Sequence, residues 1–413
     1  MKWDRINKRR ALVWGAWAVV LLIGLAGLFV WHSIRSYEAA LREFEVHVGS
    51  ANHQDYVRDA VPDDRNAALA FATAASGIEI GSEWSRTPEP VAWSAATEAA
   101  VREVLGRNQT ALDALQAAAE LPSCVWPPML SAGADSLLLA LRAARLLRLQ
   151  GFVGVVETDQ DRIERSFGVL GDLAECLYAQ PYLVGSLIAA AVERTQLEVV
   201  HAVVSSPGTS PGLLAHFRLA LERSSRVDRV RWAVAAEGAF AFRLVEDSES
   251  GVLPLSGGPL RSVFAKRLVT ALASRWVEFA AWSEEPFEEL LSEPPAVRET
   301  GLSVAGLVAD MTIASLRHAI VTLRTNGALA DLALVAIQGR LYGRRHGRYD
   351  GAFDGRAGVT VLNEGDGSAV LIDSKLGSLL RAYLISSAEG RTLDAESTLD
   401  LTVWRLPPPI AER

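Results

Sequence analysis

Cysteine is nearly absent, with Cys124 and Cys176 the only two in 413 residues. That excludes a cysteine-rich zinc site and a dense disulfide framework. One Cys124–Cys176 disulfide remains possible. Two buried thiols are the alternative, since each lies in an apolar context ("LPSCVWPP", "LAECLYAQ") and sequence does not give their separation. Histidine is scarce too. His32, His47, His53, His201, His216, His318 and His346 form no H-x-x-x-H or H-E-x-x-H spacing, so scattered solvent or core histidines explain them and no metal or cofactor is expected.

Other signatures of chemistry are missing as well. No G-x-x-x-x-G-K-[ST] loop is present to cradle a phosphate. Asn363, Glu364 and Asp366 in "NEGDGSAV" could offer oxygens to Ca²⁺, but a tight hairpin turn accounts for Gly365, Asp366 and Gly367 without an ion. Ser303 in "GLSVAG" stands in a helical pattern rather than at a strand-to-helix elbow, and its last position is Ala where G-x-S-x-G needs Gly. Ser262 and Lys266 are four apart, not the three of S-x-x-K. Glu284, Glu285, Glu288 and Glu289 read as a solvated helix start favoured by the helix dipole. Catalytic residues are therefore unknown at this level.

Basic charge is in deficit over most of the chain. The first ten residues hold five basic side chains and one acid; the rest carries 36 basic against 48 acidic residues, a net −12. Nucleic acid is not an expected partner of such a body, because it is held mainly by Lys and Arg.

What the chain does have is one long uncharged run. Ala11 to Trp31 are 21 residues without a charge, and at about 1.5 Å per residue they match a bilayer core of about 30 Å. Lys2, Arg5, Lys8, Arg9 and Arg10 precede the run, and Trp14, Trp17 and Trp31 lie near its ends, where indole favours the headgroup zone. A cleaved signal would have a shorter apolar stretch and small residues at its end, whereas this run ends in "VWHSIRSYE". The expectation is a retained single-pass anchor in the cytoplasmic (inner) membrane. By the positive-inside rule the N-terminus lies in the cytoplasm and the body is extracytoplasmic.

Beyond the anchor, "SYEAALREFEVHV" continues the helical pattern, and "VPDDRNAALAFATAA" suggests a helix with Pro62 in its first turn. "SAATEAAVREVLGRNQTALDALQAAAEL" reads as one helix, and a series of helices separated by short turn signals follows, as in packed helix hairpins. "LSVAGLVADMTIASLRHAIVTLRTNG" and "ALADLALVAIQGRLYGRRHG" read as the last two long helices. The period then changes: "GVTVLNEGDGSAVLIDS" looks like a hairpin, and "LLRAYLISS" and "LDLTVWRLP" could add strands.

The densest cationic group of the body is Arg340, Arg344, Arg345 and Arg348, with His346 and Tyr349 beside it. Arg340 and Arg344 are one helical turn apart and could receive a carboxylate or phosphate. Positive charge at a helix C-terminus is also favourable without a ligand.

The segment "LADLALVAIQGRLYGRRHGRYDG" resembles an element of uncharacterised bacterial membrane-anchored proteins, an Ala- and Leu-rich helix with a Tyr-containing end followed by "HGRY" and usually Pro; here Asp350 takes the place of that Pro. "VPDDRNAALAF", "LAECLYAQPYLVGSLIAAAVERTQLEVV" and "DLTVWRLPPP" are similar to parts of the same family in the same order. The resemblance implies a helical extracytoplasmic body with a short β tail, and it carries over no activity and no catalytic residue.

The expected fold is thus mainly α: a basic segment (1–10), a transmembrane helix (11–31), an extracytoplasmic helical domain (32–348) and a small β-containing module (349–413). The expected partners are the lipid bilayer, through residues 11–31, and an envelope protein. The leading functional reading is a membrane-anchored, non-enzymatic interaction or scaffold protein. The alternatives are an envelope hydrolase whose site assembles only in the fold, and an accessory component of a secretion apparatus.

Overall fold

A computed structural model describes residues 2–81, 84, 87–126, 129–223, 226–247, 259–292, 304–349, 359–363, 368–373, 376–378 and 402–408. Within its helices and strands, the side chains of residues 2–20, 22, 23, 129–136, 226, 227, 246, 259–261, 288, 291, 292, 304–315, 318, 359 and 363 lie outside the described set.

The described chain is mainly helical. It comprises α1 (Lys2–His47), α2 (Ala67–Ser76), α3 (Ala95–Arg107), α4 (Gln109–Ala119), α5 (Met129–Glu157), α6 (Gln160–Tyr178), α7 (Leu183–Ser205), α8 (Pro211–Glu222), α9 (Arg226–Glu246), α10 (Pro259–Glu284), α11 (Phe287–Ser292) and α12 (Val304–His346). Three strands follow, β1 (Val359–Asn363), β2 (Ala369–Asp373) and β3 (Val403–Leu406). They form one antiparallel sheet in the order β1-β2-β3, with Asn363 opposite Ala369 and Leu371 opposite Trp404. The expected turn at Gly365–Gly367, the Glu364 and Asp366 oxygens, Ser303 and the "LLRAYLISS" strand lie outside the described residues.

Three asparagines redraw helix boundaries read from sequence. The helix expected around Pro62 starts later, at Ala67, because Asn66 caps it: its Oδ1 accepts from Ala68 N at 3.1 Å. The single helix expected from Ser94 to Leu121 is two, α3 and α4. Asn108 at the break is buried and directs its side chain to Glu79 N (2.7 Å) and Glu79 O (3.1 Å), so a long-range polar pair outweighs local helical propensity. Conversely, the break expected at Asn326 and Gly327 is absent. Asn326 is fully buried inside continuous α12, donates to Ala190 O and accepts from Arg194 Nη2 at 3.1 Å, so its amide need not compete with the helix backbone.

The chain divides into two compact units, and residues 32–348 contribute to both. The first contains residues 1–55, 234–283 and 295–316. In it Phe44 and Trp276 are fully buried, Phe44 meets Phe242 edge-on at 4.8 Å, and Trp276 Nε1 donates to Val234 O at 2.8 Å. Gly238 allows this convergence, since a Cβ there would stand 2.8 Å from both Phe44 and Trp276 Nε1.

The second unit contains residues 56–233, 284–294 and 317–413. Its centre is the antiparallel trio α5, α6 and α7, joined by short turns and lined by Leu146, Leu147, Phe152, Leu170, Leu197 and Val200, all almost completely buried. The α2–α4 group and β3 pack on this trio.

Among the described residues, the stretch long and apolar enough to cross a membrane is Ala319–His346, and 72% of its most apolar 18-residue window is buried in the fold. A core helix passes the same test of composition. The expected anchor, residues 11–31, falls within the backbone of α1, where side-chain description is continuous only from Gly24.

Candidate functional site

Arg340, expected to face a ligand, is instead wholly buried in the second unit. It projects from α12, and its Nη1 donates to Pro407 O at 2.6 Å and Tyr349 Oη at 2.9 Å. Tyr349 Oη donates in turn to Pro407 O at 2.6 Å. Burial pushes the Tyr349 phenol above its usual range, only partly countered by the Arg340 charge, so the donor stays protonated at neutral pH. Gly343, one turn before Gly347, leaves the room that the Tyr349 ring occupies; a Cβ at Gly343 would fall against the ring atoms.

Arg344 donates to Pro207 O at 3.1 Å, while Arg345, His346 and Arg348 are exposed. His346 lies 4.2 Å from the Tyr342 ring, centroid to centroid. The six residues therefore separate. Arg340, Arg344 and Tyr349 hold backbone carbonyls of the chain itself, and Arg345, His346 and Arg348 are left facing solvent. A guanidinium committed to carbonyls serves the fold rather than an incoming anion.

A second polar clamp acts at the other end of β3. His201 on α7 contacts Glu89 through Nδ1, lies 2.8 Å from Val403 O through Nε2, and meets the fully buried Trp404 ring at 4.6 Å. A carbonyl only accepts, so Nε2 carries the hydrogen. That nitrogen is therefore not available to accept a proton while it holds the Val403 carbonyl. Local sequence reasoning had no access to this pairing, because Glu89 and Val403 lie 112 and 202 residues from His201.

Cys124 and Cys176 are joined as a disulfide with Cα atoms 5.5 Å apart, linking the segment after α4 to the C-terminal half of α6. Both line a cavity of about 270 Å³ together with Arg58, Phe71, Asp172 and Glu175. Asp172 reaches solvent at the mouth, yet the surrounding protein pushes its carboxyl above the ordinary range. Glu175 pairs with Arg229, whose pKa falls to about 10 on burial and which still remains a cation at neutral pH. Arg229 stacks over Tyr178 at 4.5 Å, and Tyr178 donates to Glu193 at 2.8 Å.

Among the described residues, no three His, Cys, Asp or Glu side chains converge as a metal set. The chemistry-bearing features are thus two clamps on β3, both committed to internal partners, and one open cavity with a disulfide in its wall. No protein family model, curated protein or solved structure matches the chain.

Proposed function

We propose that the protein is a single-pass, membrane-tethered envelope protein whose extracytoplasmic body works by binding another protein rather than by catalysis. One observation carries the tether. Leu21, Leu25, Leu28, Phe29, Val30 and Trp31 are exposed on α1, although Ala40, Phe44 and Val48 further along the chain are buried. A helix that leaves so large an apolar surface uncovered on leaving the protein core is matched to a hydrocarbon solvent.

The level at which this surface ends has the chemistry of a bilayer interface. Arg267 lies over Phe29 at 4.1 Å, Arg35 over Trp31 at 5.4 Å, and Lys266 near Tyr37 at 5.8 Å. Cations and aromatic rings gathered along about two turns of α1 where the apolar surface ends suit the headgroup zone. The disulfide supports the extracytoplasmic side, since such bonds form and persist in oxidising compartments. Commitment of His201, Arg340 and Tyr349 to internal bonds favours the interaction role over a hydrolase.

The test is protease treatment of a C-terminally tagged chain in intact spheroplasts, followed by crosslinking and mass spectrometry. Loss of the tag without lysis is expected, with envelope proteins among the crosslinked species. A tag that survives until lysis would overturn the orientation, and release of the chain by carbonate washing would overturn the tether.

A further inference from the structure

The disulfide differs from a bond sealed in a core. Its two half-cystines are unequal: Cys176 is buried in α6, whereas Cys124 is only partly covered, and both border the same open cavity. An attacking thiolate approaching through that cavity therefore reaches the Cys124 side first, with Cys176 as the leaving sulfur.

The Cys124 segment is also held without the bond. Ala67 N donates to Ser123 O at 2.7 Å, Asn66 Nδ2 to Val125 O at 2.7 Å, and Val125 N to Asn66 Oδ1 at 3.0 Å. Three backbone attachments flank the cysteine within two residues, so opening the disulfide leaves the segment docked and the two thiols close to each other.

We propose that Cys124–Cys176 is an exchangeable disulfide and that the cavity beside it is the entry site for a cysteinyl thiol. The incoming thiolate bonds to Cys124 Sγ, the Cys124–Cys176 bond breaks, and its electron pair leaves as the Cys176 thiolate. That thiolate takes a proton delivered through the cavity, where Asp172 stands one helical turn before Cys176 on the same face of α6. A second thiolate attacking the incoming sulfur releases Cys124 as a thiolate and the two incoming groups as a disulfide. Two electrons enter the protein and the partner thiols are oxidised by two; the reverse exchange restores the bond.

Arg58 donates to Cys124 O at 3.5 Å and lines the cavity with the carboxylates Asp172 and Glu175, offsetting part of their negative charge where an anionic sulfur would enter. The cavity volume suits a cysteine side chain or a small peptide thiol. The exchange rests on the proposed extracytoplasmic placement only for its supply of partner disulfides. The chemistry itself belongs to the purified chain, so its failure and the failure of the topology can be distinguished.

The experiment uses the full-length protein in detergent, reduced glutathione at several concentrations, rapid alkylation and peptide mass spectrometry. The expected result is a glutathione adduct on Cys124, formed at a rate linear in thiolate and unchanged by urea well below the unfolding transition. Reduction at a rate independent of thiol concentration, or that accelerates with urea in step with unfolding, would overturn the proposal. Wild-type kinetics decide this even if variants fold poorly.

Two single-thiol variants then assign the sulfur. With glutathione disulfide, Cys124 in C176S should form the adduct about tenfold faster than Cys176 in C124S; equal rates, or a faster Cys176, would overturn the assignment. Asp172→Asn should slow wild-type opening about threefold and flatten its pH profile beyond that of the thiol itself. An unchanged rate and profile remove Asp172 from the scheme. Running the same assay with a small protein dithiol identifies the source: reaction with glutathione alone selects a small thiol, reaction with the protein selects a protein cysteine, and reaction with neither overturns the site.

Discussion

In the unit containing α1, Phe44 and Trp276 are fully buried and converge over Gly238, with aromatic packing as the dominant contact. In the unit containing the sheet, the equally buried Trp404 belongs to a strand held at one end by His201 and beyond the other by Arg340 and Tyr349. The second unit also carries the disulfide. The difference follows from what each must fix. Long helices can meet mainly through packed aromatic faces, but a four-residue strand buries too little surface to hold its own register and needs polar attachments at its ends. The two units should therefore fail differently when side chains are removed.

The largest expected effects come from the aromatic centres. Phe44→Ala should cost the first unit about 3–5 kcal/mol, read as faster amide exchange across residues 234–283, while exchange in α5 to α7 stays at its wild-type rate. Trp404→Ala should cost a similar amount and act in the second unit. Spread of either effect evenly over both units would break the comparison. The disulfide comes next: C124S with C176S should lower the stability of the second unit by about 2–5 kcal/mol, measured by denaturant midpoint on tryptic fragments protected in the native state. A loss confined to the first unit would contradict the division.

The polar clamps should then separate from the packed core. Arg340→Met removes the charged donor to Pro407 O and Tyr349 Oη, which keep only their bond to each other, a loss of about 1.5–3 kcal/mol for a hydrogen bond to a charged group. Gly343→Ala should produce a comparable loss of about 1–3 kcal/mol through overpacking against Tyr349. Both should raise exchange at Val403–Leu406 before the α5–α7 core responds. If the core responds first, Arg340 is a core residue rather than a strand clamp.

Much of the helical architecture was legible because it depends on local pattern. The apolar spacing and turn signals in "DQDRIERSFGVLGDLAECLYAQ" correspond to α6, and the change of period near Val359 corresponds to β1 and β2. Asn108 and Asn326 were not legible in the same way: one breaks a helix and the other continues it, according to partners 29 and 136 residues away. The candidate site shows the same limit. Spacing placed Arg340 and Arg344 on one helical face, but the carbonyls of Pro407 and Pro207 that occupy them are 67 and 137 residues distant. An exposed cationic cluster and a buried cationic clamp have the same sequence signature until the partner is known.

The smallest expected effects concern pH, and they have opposite signs in the two units. In the first, burial and then the Arg243 charge lower the pKa of His53 below its ordinary 6.5. The folded unit keeps the neutral imidazole, while the unfolded chain takes up a proton as pH falls. The contribution is full above about pH 6.5 and is lost as pH falls through the lowered value. In the second, partial desolvation by the surrounding protein raises the pKa of the solvent-reaching Asp172, so its neutral carboxyl is favoured in the fold; that contribution is present below the unfolded carboxylate range and lost as pH rises through the raised value. Amide exchange between pH 5 and 7.5, corrected for intrinsic rates, should weaken residues 234–283 on the acid side, and His53→Gln should flatten that slope. Asp172→Asn should leave that acid-side slope intact. If His53→Gln retains the full slope, acid sensitivity in the first unit belongs to another group.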